Sequence, residues 1–218
     1  MPAVSVRDAH PPKRRVPTQE RSRRRVEDLL DAAAKLVVQH GVAPLSTRDI
    51  ALEAGVPVAS LYQYFADKDA ILLALAARDM EEMDAQVLTD LAAVEMLSVA
   101  SVVRTTMEAF VTVYHRRRAF VEIYLRGRAN AAVSRFGREH NARVAEMLRD
   151  FAIDAGIADP ALPPQVALLA VEVGDRIFQL AFEKTWTGDA GLVDEGILLV
   201  TSYLERYATP AGLAGVRK

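Results

Sequence analysis

The chain has 218 residues with 27 Lys and Arg against 29 Asp and Glu, a net charge of −2, which is length enough for one large domain or two small ones and gives no overall bias toward nucleic acid. The absence of cysteine excludes a disulfide framework, a thiol nucleophile and a Cys-ligated zinc site. No apolar run reaches the roughly 18 residues of a membrane span, and the opening "MPAVSVRDAHPPKRR" lacks the apolar stretch of a signal peptide, so a soluble cytoplasmic protein is expected.

Charge is unevenly spread along the chain. Residues 1–25 carry eight Lys and Arg against Asp8 and Glu20, a net of +6 that leaves −8 on the remainder. This is the asymmetry of an anion-binding arm or of a solubilising tail. Residues 1–17, with four prolines and no periodicity, read as a disordered basic arm. From Thr18 the pattern turns helical, with Val26, Leu29, Leu30, Ala33, Leu36 and Val37 on one face and Gly41 as the stop. Arg23, Arg24 and Arg25 on this helix are expected to meet phosphate or the minor groove, with Arg14 and Arg15 as weaker candidates.

A second, short helix opens at "LSTRDIALEAGV", where Ser46 is the N-cap and Asp49 completes an acidic variant of the capping box. Gly55 turns the chain and Pro57 suits the first turn of a third helix over "VASLYQYF". Two short helices joined by a glycine turn form a helix-turn-helix pattern. Leu61 and Phe65 are expected to lock the three-helix unit, residues 18–66. Tyr62 and Tyr64 would then face outward, where a phenol ring can pack on sugar and base methyl while its hydroxyl reaches phosphate. Lys68 adds a cation at the N-terminus of the next helix, a position already biased toward anions.

The run "LSTRDIALEAGVPVASLYQYFADKDAIL" closely resembles the TetR family of bacterial transcriptional regulators, with its Thr-Arg-x-Ile-Ala, Ala-Gly-Val and Leu-Tyr-x-x-Phe segments followed by Lys and Leu. The resemblance covers roughly residues 20–75; beyond it only length and helical layout agree. It implies that Thr47 contacts phosphate, that Arg48 reaches a base edge, that Ser60, Tyr64 and Lys68 touch phosphates, and that Tyr62 and Gln63 lie in the groove. Val58 and Ala59 depart from the family's usual polar residue and glycine, and Tyr64 stands where it often has His. An apolar pair can meet thymine methyls but donates no hydrogen bond, so these departures bear on the operator sequence.

The rest, residues 67–208, reads as a larger helical body, with helices from Asp67 to about Leu91 and near 98–116, 118–126, 131–155, 164–186 and 191–207. Residues 209–218 read as a tail, and the fold class is all-α. Within the body, Met83, Met107, Phe110, Tyr114, Tyr124, Phe178, Phe182 and Trp186 are either core or the wall of an apolar cavity. Arg104, Glu172, Asp175 and Gln179 interrupt apolar helices, the last three on one face, and would orient a ligand or bond across a dimer interface. Helices 164–186 and 191–207 are the candidate homodimer interface, with Gly174 admitting close packing there.

"HRRR" at 115–118 reads as a solvated helix end. His10, His40, His115 and His140 show no metal-ligand spacing, and no nucleophile pairs with a base, so neither a metal, a cofactor nor an enzyme is expected. The resulting expectation is a dimeric repressor that binds a palindromic operator in double-stranded DNA and is released by a small apolar ligand. A constitutive dimeric DNA-binding protein and, further off, a helical small-molecule enzyme are the alternatives.

Overall fold

The computed structural model describes residues 18–127 and 130–217; the basic arm expected over 1–17 lies outside them. Helix α1 (Thr18–His40) buries Leu29, Leu30, Ala33 and Val37 on the face that the periodicity marks, and it ends where Gly41 takes φ +78°, a conformation costly for other residues. Helix α2 (Thr47–Glu53) starts at Ser46, whose hydroxyl accepts from the Asp49 amide at 3.2 Å. Asp49 does not reach back to the Ser46 amide as a full capping box would; its carboxylate accepts from the Ser46 hydroxyl instead. Gly55 at φ +65° makes the turn into α3 (Val58–Leu61), shorter than the two turns expected. The chain beyond it closes through turns, with Tyr64 and Phe65 amides both donating to the Leu61 carbonyl. Leu61 is fully buried and Phe65 nearly so, and they join α1 and α2 in one core.

Helix α4 (Lys68–Ala93), capped by Asp67 on the Ala70 amide at 2.8 Å, is about 39 Å long at 1.5 Å per residue. It packs on α1 and runs on into a body of α5 (Val99–Arg116), α7 (Ala131–Asp154), α8 (Pro164–Ala181) and α9 (Ala190–Leu204). Between α5 and α7, the short α6 (Arg118–Phe120) passes into a π-helical turn, Val121–Leu125. The "HRRR" segment ends α5 and is largely exposed as expected, but its arginines have partners. Arg116 donates to Gln86 at 2.6 Å, Arg117 pairs with Glu82 at 2.5 Å, and the Arg118 guanidinium lies 3.5 Å over the Trp186 ring.

Two further expectations are corrected. The helix predicted over 164–186 ends at Ala181, because Gly188 brings the chain back against the buried Phe182 ring and the Asp189 amide donates to the Ala181 carbonyl at 2.9 Å. The tail expected over 209–218 is folded across its described residues, 209–217: Thr209 caps α10 (Pro210–Ala214), and β2 (Val216–Arg217) pairs antiparallel with β1 (Met96–Leu97). The Thr209 amide donates to Ile157 O at 3.1 Å and its hydroxyl to Gly156 O at 2.7 Å. A two-residue strand carries no readable periodicity, which is why this ribbon escaped the sequence reading.

Gly174 was expected to admit a close neighbour. A Cβ there would meet nothing within 4 Å, whereas one at Gly196 would come within 2.6 Å of Ile177 on α8. The close approach of α8 and α9 therefore runs through Gly196. Gly174→Ala is expected to stabilise by about 1 kcal/mol through helix propensity, and Gly196→Ala to destabilise by about 1–3 kcal/mol through overpacking. Calorimetric melting of the pair checks this, and shifts of the same sign would contradict the assignment.

Candidate nucleic-acid interface and ligand cavity

One outward surface of the N-terminal unit gathers polar and aromatic groups from all three helices. Thr47, the first residue of α2, has its hydroxyl 3.0 Å from the Tyr62 hydroxyl after α3. Tyr62 is 54% exposed, a position that core packing does not explain for so large a ring. Arg48, Ala59 and Gln63 are exposed, and Ser60 is half-buried. Tyr64 differs from Tyr62: its ring packs against the core, Val58 packs there as well, and its hydroxyl lies 3.4 Å from that of Ser22 on α1. Lys68 follows in the first turn of α4, half-buried, and Arg25 is exposed on α1. Ser22 was missed from sequence, where a serine among arginines gave no signal of its own.

This surface offers hydrogen-bonding groups that would suit an anionic, grooved partner. A helix N-terminus (Thr47), hydroxyls (Ser60, Tyr64) and a cation (Lys68) suit phosphates, which set register, while Arg48 and Gln63 have the planar donor sets that read guanine and adenine edges.

The second site is a cavity of about 130 Å³ inside the body. Met80 and Met83 of α4, Met107, Phe110 and Tyr114 of α5, Tyr124 of the π-turn, and Asp175 and Phe178 of α8 line it. The rings interlock edge-on: Tyr114 and Phe178 centroids lie 5.2 Å apart at 81°, and Phe110 and Phe178 5.9 Å apart at 87°. Gly137 of α7 lets the Tyr124 ring lie on the helix backbone, where any Cβ would collide with it. Gly174 lines the cavity too, which accounts for the open space at its Cβ position.

Of the residues singled out from sequence, Arg104, Glu172, Gln179, Phe182 and Trp186 lie outside this lining. Arg104 is exposed and pairs with Glu108 at 3.3 Å. Phe182 is fully buried behind Tyr114. Glu172 accepts from Asn141 at 3.4 Å, and Gln179 donates to Asp175 at 2.8 Å, so both support the site from behind. The sequence reading missed Thr106, His140, Asn141 and Arg149 in the wall. A signal existed: His140 and Asn141 fall on the stripe of Val133, Gly137, Val144 and Ala145 that α7 buries, so polar groups stood where the periodicity demands apolar ones.

Two carboxyls stand out electrostatically, Asp79 buried and Asp175 half-buried. Burial pushes Asp175 up to about 6, with Glu172 adding to the shift while Tyr124, Gln179 and Asn141 oppose it by hydrogen bonding. Burial likewise raises Asp79 to about 6 against the pull of Arg78 and Arg117. Asp79, 1% exposed, sits between these two guanidiniums at 3.4 and 3.7 Å. Arg78 also reaches Asp31 at 2.7 Å and Glu27 at 3.2 Å on α1, so a single side chain ties the two units together. Burial and the nearby Asp175 raise both Tyr114 and Tyr124, which stay protonated as hydrogen-bond donors.

Residues 29–75 match the family model described as "Bacterial regulatory proteins, tetR family", and residues 97–204 match "Tetracyclin repressor-like, C-terminal domain". A TetR-family transcriptional regulator from Streptomyces coelicolor is 28% identical over 84% of this chain and 99% of its own, with a TM-score of 0.68. The regulator FadR from Bacillus subtilis, solved in complex with stearoyl-CoA, is 14% identical (81% and 98% covered, TM-score 0.63). SmeT, the repressor of the Stenotrophomonas maltophilia multidrug efflux pump SmeDEF, is 20% identical (86% and 92%, TM-score 0.60). At those identities the last two speak to the fold alone. No curated protein matches the chain.

Raised carboxyl values carry a definite sign. A folded pKa of about 6 against an ordinary 3.8 means the fold favours the protonated form, so ionising Asp175 costs stability as pH rises from about 4 to 6. Asp175→Asn should therefore raise stability at pH 7.5 by about 1–3 kcal/mol and change it little at pH 4. Melting temperatures across pH 4–8 measure this; an equal change at both ends would remove the assignment.

Proposed function

Since the chain belongs to the TetR family of bacterial regulatory proteins and is a DNA-binding regulator, we propose that it is a repressor that binds a palindromic operator as a homodimer and leaves it when a small, mainly apolar ligand enters the cavity. The observation that carries this reading is the two-sidedness of α4. Met80 and Met83 face the cavity, while Arg78 between them and α1 holds the DNA-binding unit. A ligand that fits only when α4 is displaced would favour the non-binding arrangement; equal affinity for both arrangements would shift nothing.

The dimer reading rests on an unpartnered apolar face. Leu168, Leu169 and Leu180 of α8 and Leu192, Leu198 and Leu199 of α9 are all exposed, and two such pairs of helices would make a four-helix interface. It would present two helix-turn-helix units to half-sites about 34–36 Å apart or a multiple of a turn. The constitutive alternative leaves the lined cavity without a role, and the enzyme alternative finds no support in either family match. Among the described residues no helix is long and apolar enough to cross a membrane, in keeping with action on DNA in the cytoplasm.

Selection of genomic fragments by the purified protein at about 150 mM salt, a condition under which phosphate contacts are already screened, is expected to enrich one short inverted repeat. Lys68→Ala should weaken binding to all sequences and lower the salt slope by about one. Arg48→Ala should instead relax preference at one base position, and unchanged preference would end its base-reading role. Leu199→Glu is expected to yield monomers in sedimentation and to lose the repeat; a wild-type monomer at micromolar concentration would count against the dimer.

A further inference from the structure

The cavity's polar end is acidic and lacks a counter-ion. Asp175 accepts from Gln179 at 2.8 Å and is bonded by Tyr124 and Asn141, all neutral donors. Glu172, a second carboxylate, stands close by, and the neighbouring His140 is turned to Asp84 at 2.8 Å. No Lys or Arg among the described residues pairs with Asp175. Around this carboxylate stand the rings of Tyr114, Phe178 and Tyr124, whose faces carry the negative side of the aromatic quadrupole. The guanidinium in the lining, Arg149, lies elsewhere in the wall and already donates to Leu162 O at 2.8 Å and to Asp150 at 3.2 Å, so it is poorly placed to receive an anion.

A second observation is independent of charge. Thr106, 7% exposed, lines the same cavity, and its hydroxyl has no hydrogen-bond partner among the described residues. A buried hydroxyl left unpaired costs about 1–3 kcal/mol, so this one marks where a guest's polar atom belongs. On α5 it stands two turns from Tyr114, about 12 Å along the axis.

We propose that the cavity takes a lipophilic organic cation, a protonated or quaternary amine whose charged head rests against Asp175 among Tyr114, Tyr124 and Phe178 while its apolar tail runs past Thr106 between α5 and α7. This rests on the ligand-release reading above and narrows it to one charge class. The carboxylate supplies the counter-charge that the protein withholds, the rings supply cation–π attraction, and methionines and aliphatic side chains take the tail. A tail that carries a hydroxyl, ether or carbonyl oxygen at the level of Thr106 gains a further hydrogen bond.

Calorimetric titration of the full chain with octyltrimethylammonium, 1-octanol and octanoate tests it, alongside Asp175→Asn and Gly174→Leu, whose added side chain fills the cavity. The cation should bind wild type about tenfold or more tighter than octanol, a difference of the size that desolvated cation–π and charge contacts give, with octanoate weakest. Asp175→Asn should abolish that preference while keeping octanol binding, and Gly174→Leu should lose all three. If octanol binds as tightly as the cation, or if Asp175→Asn leaves their ratio unchanged, the cation assignment falls while a ligand cavity stands. If no probe binds wild type, or if Gly174→Leu binds like wild type, the cavity is not the ligand site and both readings fall.

Discussion

Arg78 is the constraint on which the molecule turns. It leaves α4 toward α1, where Asp31 and Glu27 meet it, and lies beside Asp79, which is buried and shared with Arg117 of the α5–α6 junction. A buried carboxylate is tolerable because two guanidiniums stand against it, and removing either would leave it less compensated. Helix, charge and neighbour are thus mutually dependent: α1 cannot swing away from α4 without disturbing the balance at Asp79, and the junction before α6 cannot move without touching the same atom. Energetically, an exposed pair such as Arg24–Glu20 counts for little, whereas this junction closes on a buried carboxylate.

The legible parts of the sequence were those written in strong local chemistry. Ser46, Asp67 and Gly41 are caps and stops with one dominant structural meaning, and α1, α2 and α4 begin or end where those residues say. The outward face was legible for Tyr62, but Tyr64 could not be told from it by spacing, since whether a ring two residues on tucks under depends on α1 packing above it. The cavity was half legible: Met83, Met107, Phe110, Tyr114, Tyr124, Asp175 and Phe178 line it, yet aromatic and methionine positions look alike whether they fill a core or wall a void. Gly174 was the subtler case. A mid-helix glycine implied a tight neighbour; it borders empty space instead, while Gly196, which the sequence reading passed over, makes the tight contact with Ile177.

Polarity inside apolar stripes carried more information than hydrophobicity did. Thr106 in α5, His140 and Asn141 in α7 and Asp175 in α8 all sit where helix periodicity calls for aliphatic residues, and all reach the cavity wall. Their cost to the fold is visible in the raised carboxyl of Asp175 and the unpaired hydroxyl of Thr106. A purely structural body could be more stable with apolar residues at these positions, in line with the general tension between stability and binding sites.

The C-terminal clip has a bearing on how the protein is made. Chains emerge N-terminus first and their domains fold as units in that order. The Gly156 and Ile157 carbonyls are met by Thr209, and β1 is paired by Val216–Arg217, so these contacts wait for the end of the chain. The clip on the body is therefore the last contact that synthesis can complete. A chain cut short by its last ten residues would keep its long helices and leave the Gly156 and Ile157 carbonyls and the edge of β1 without these partners.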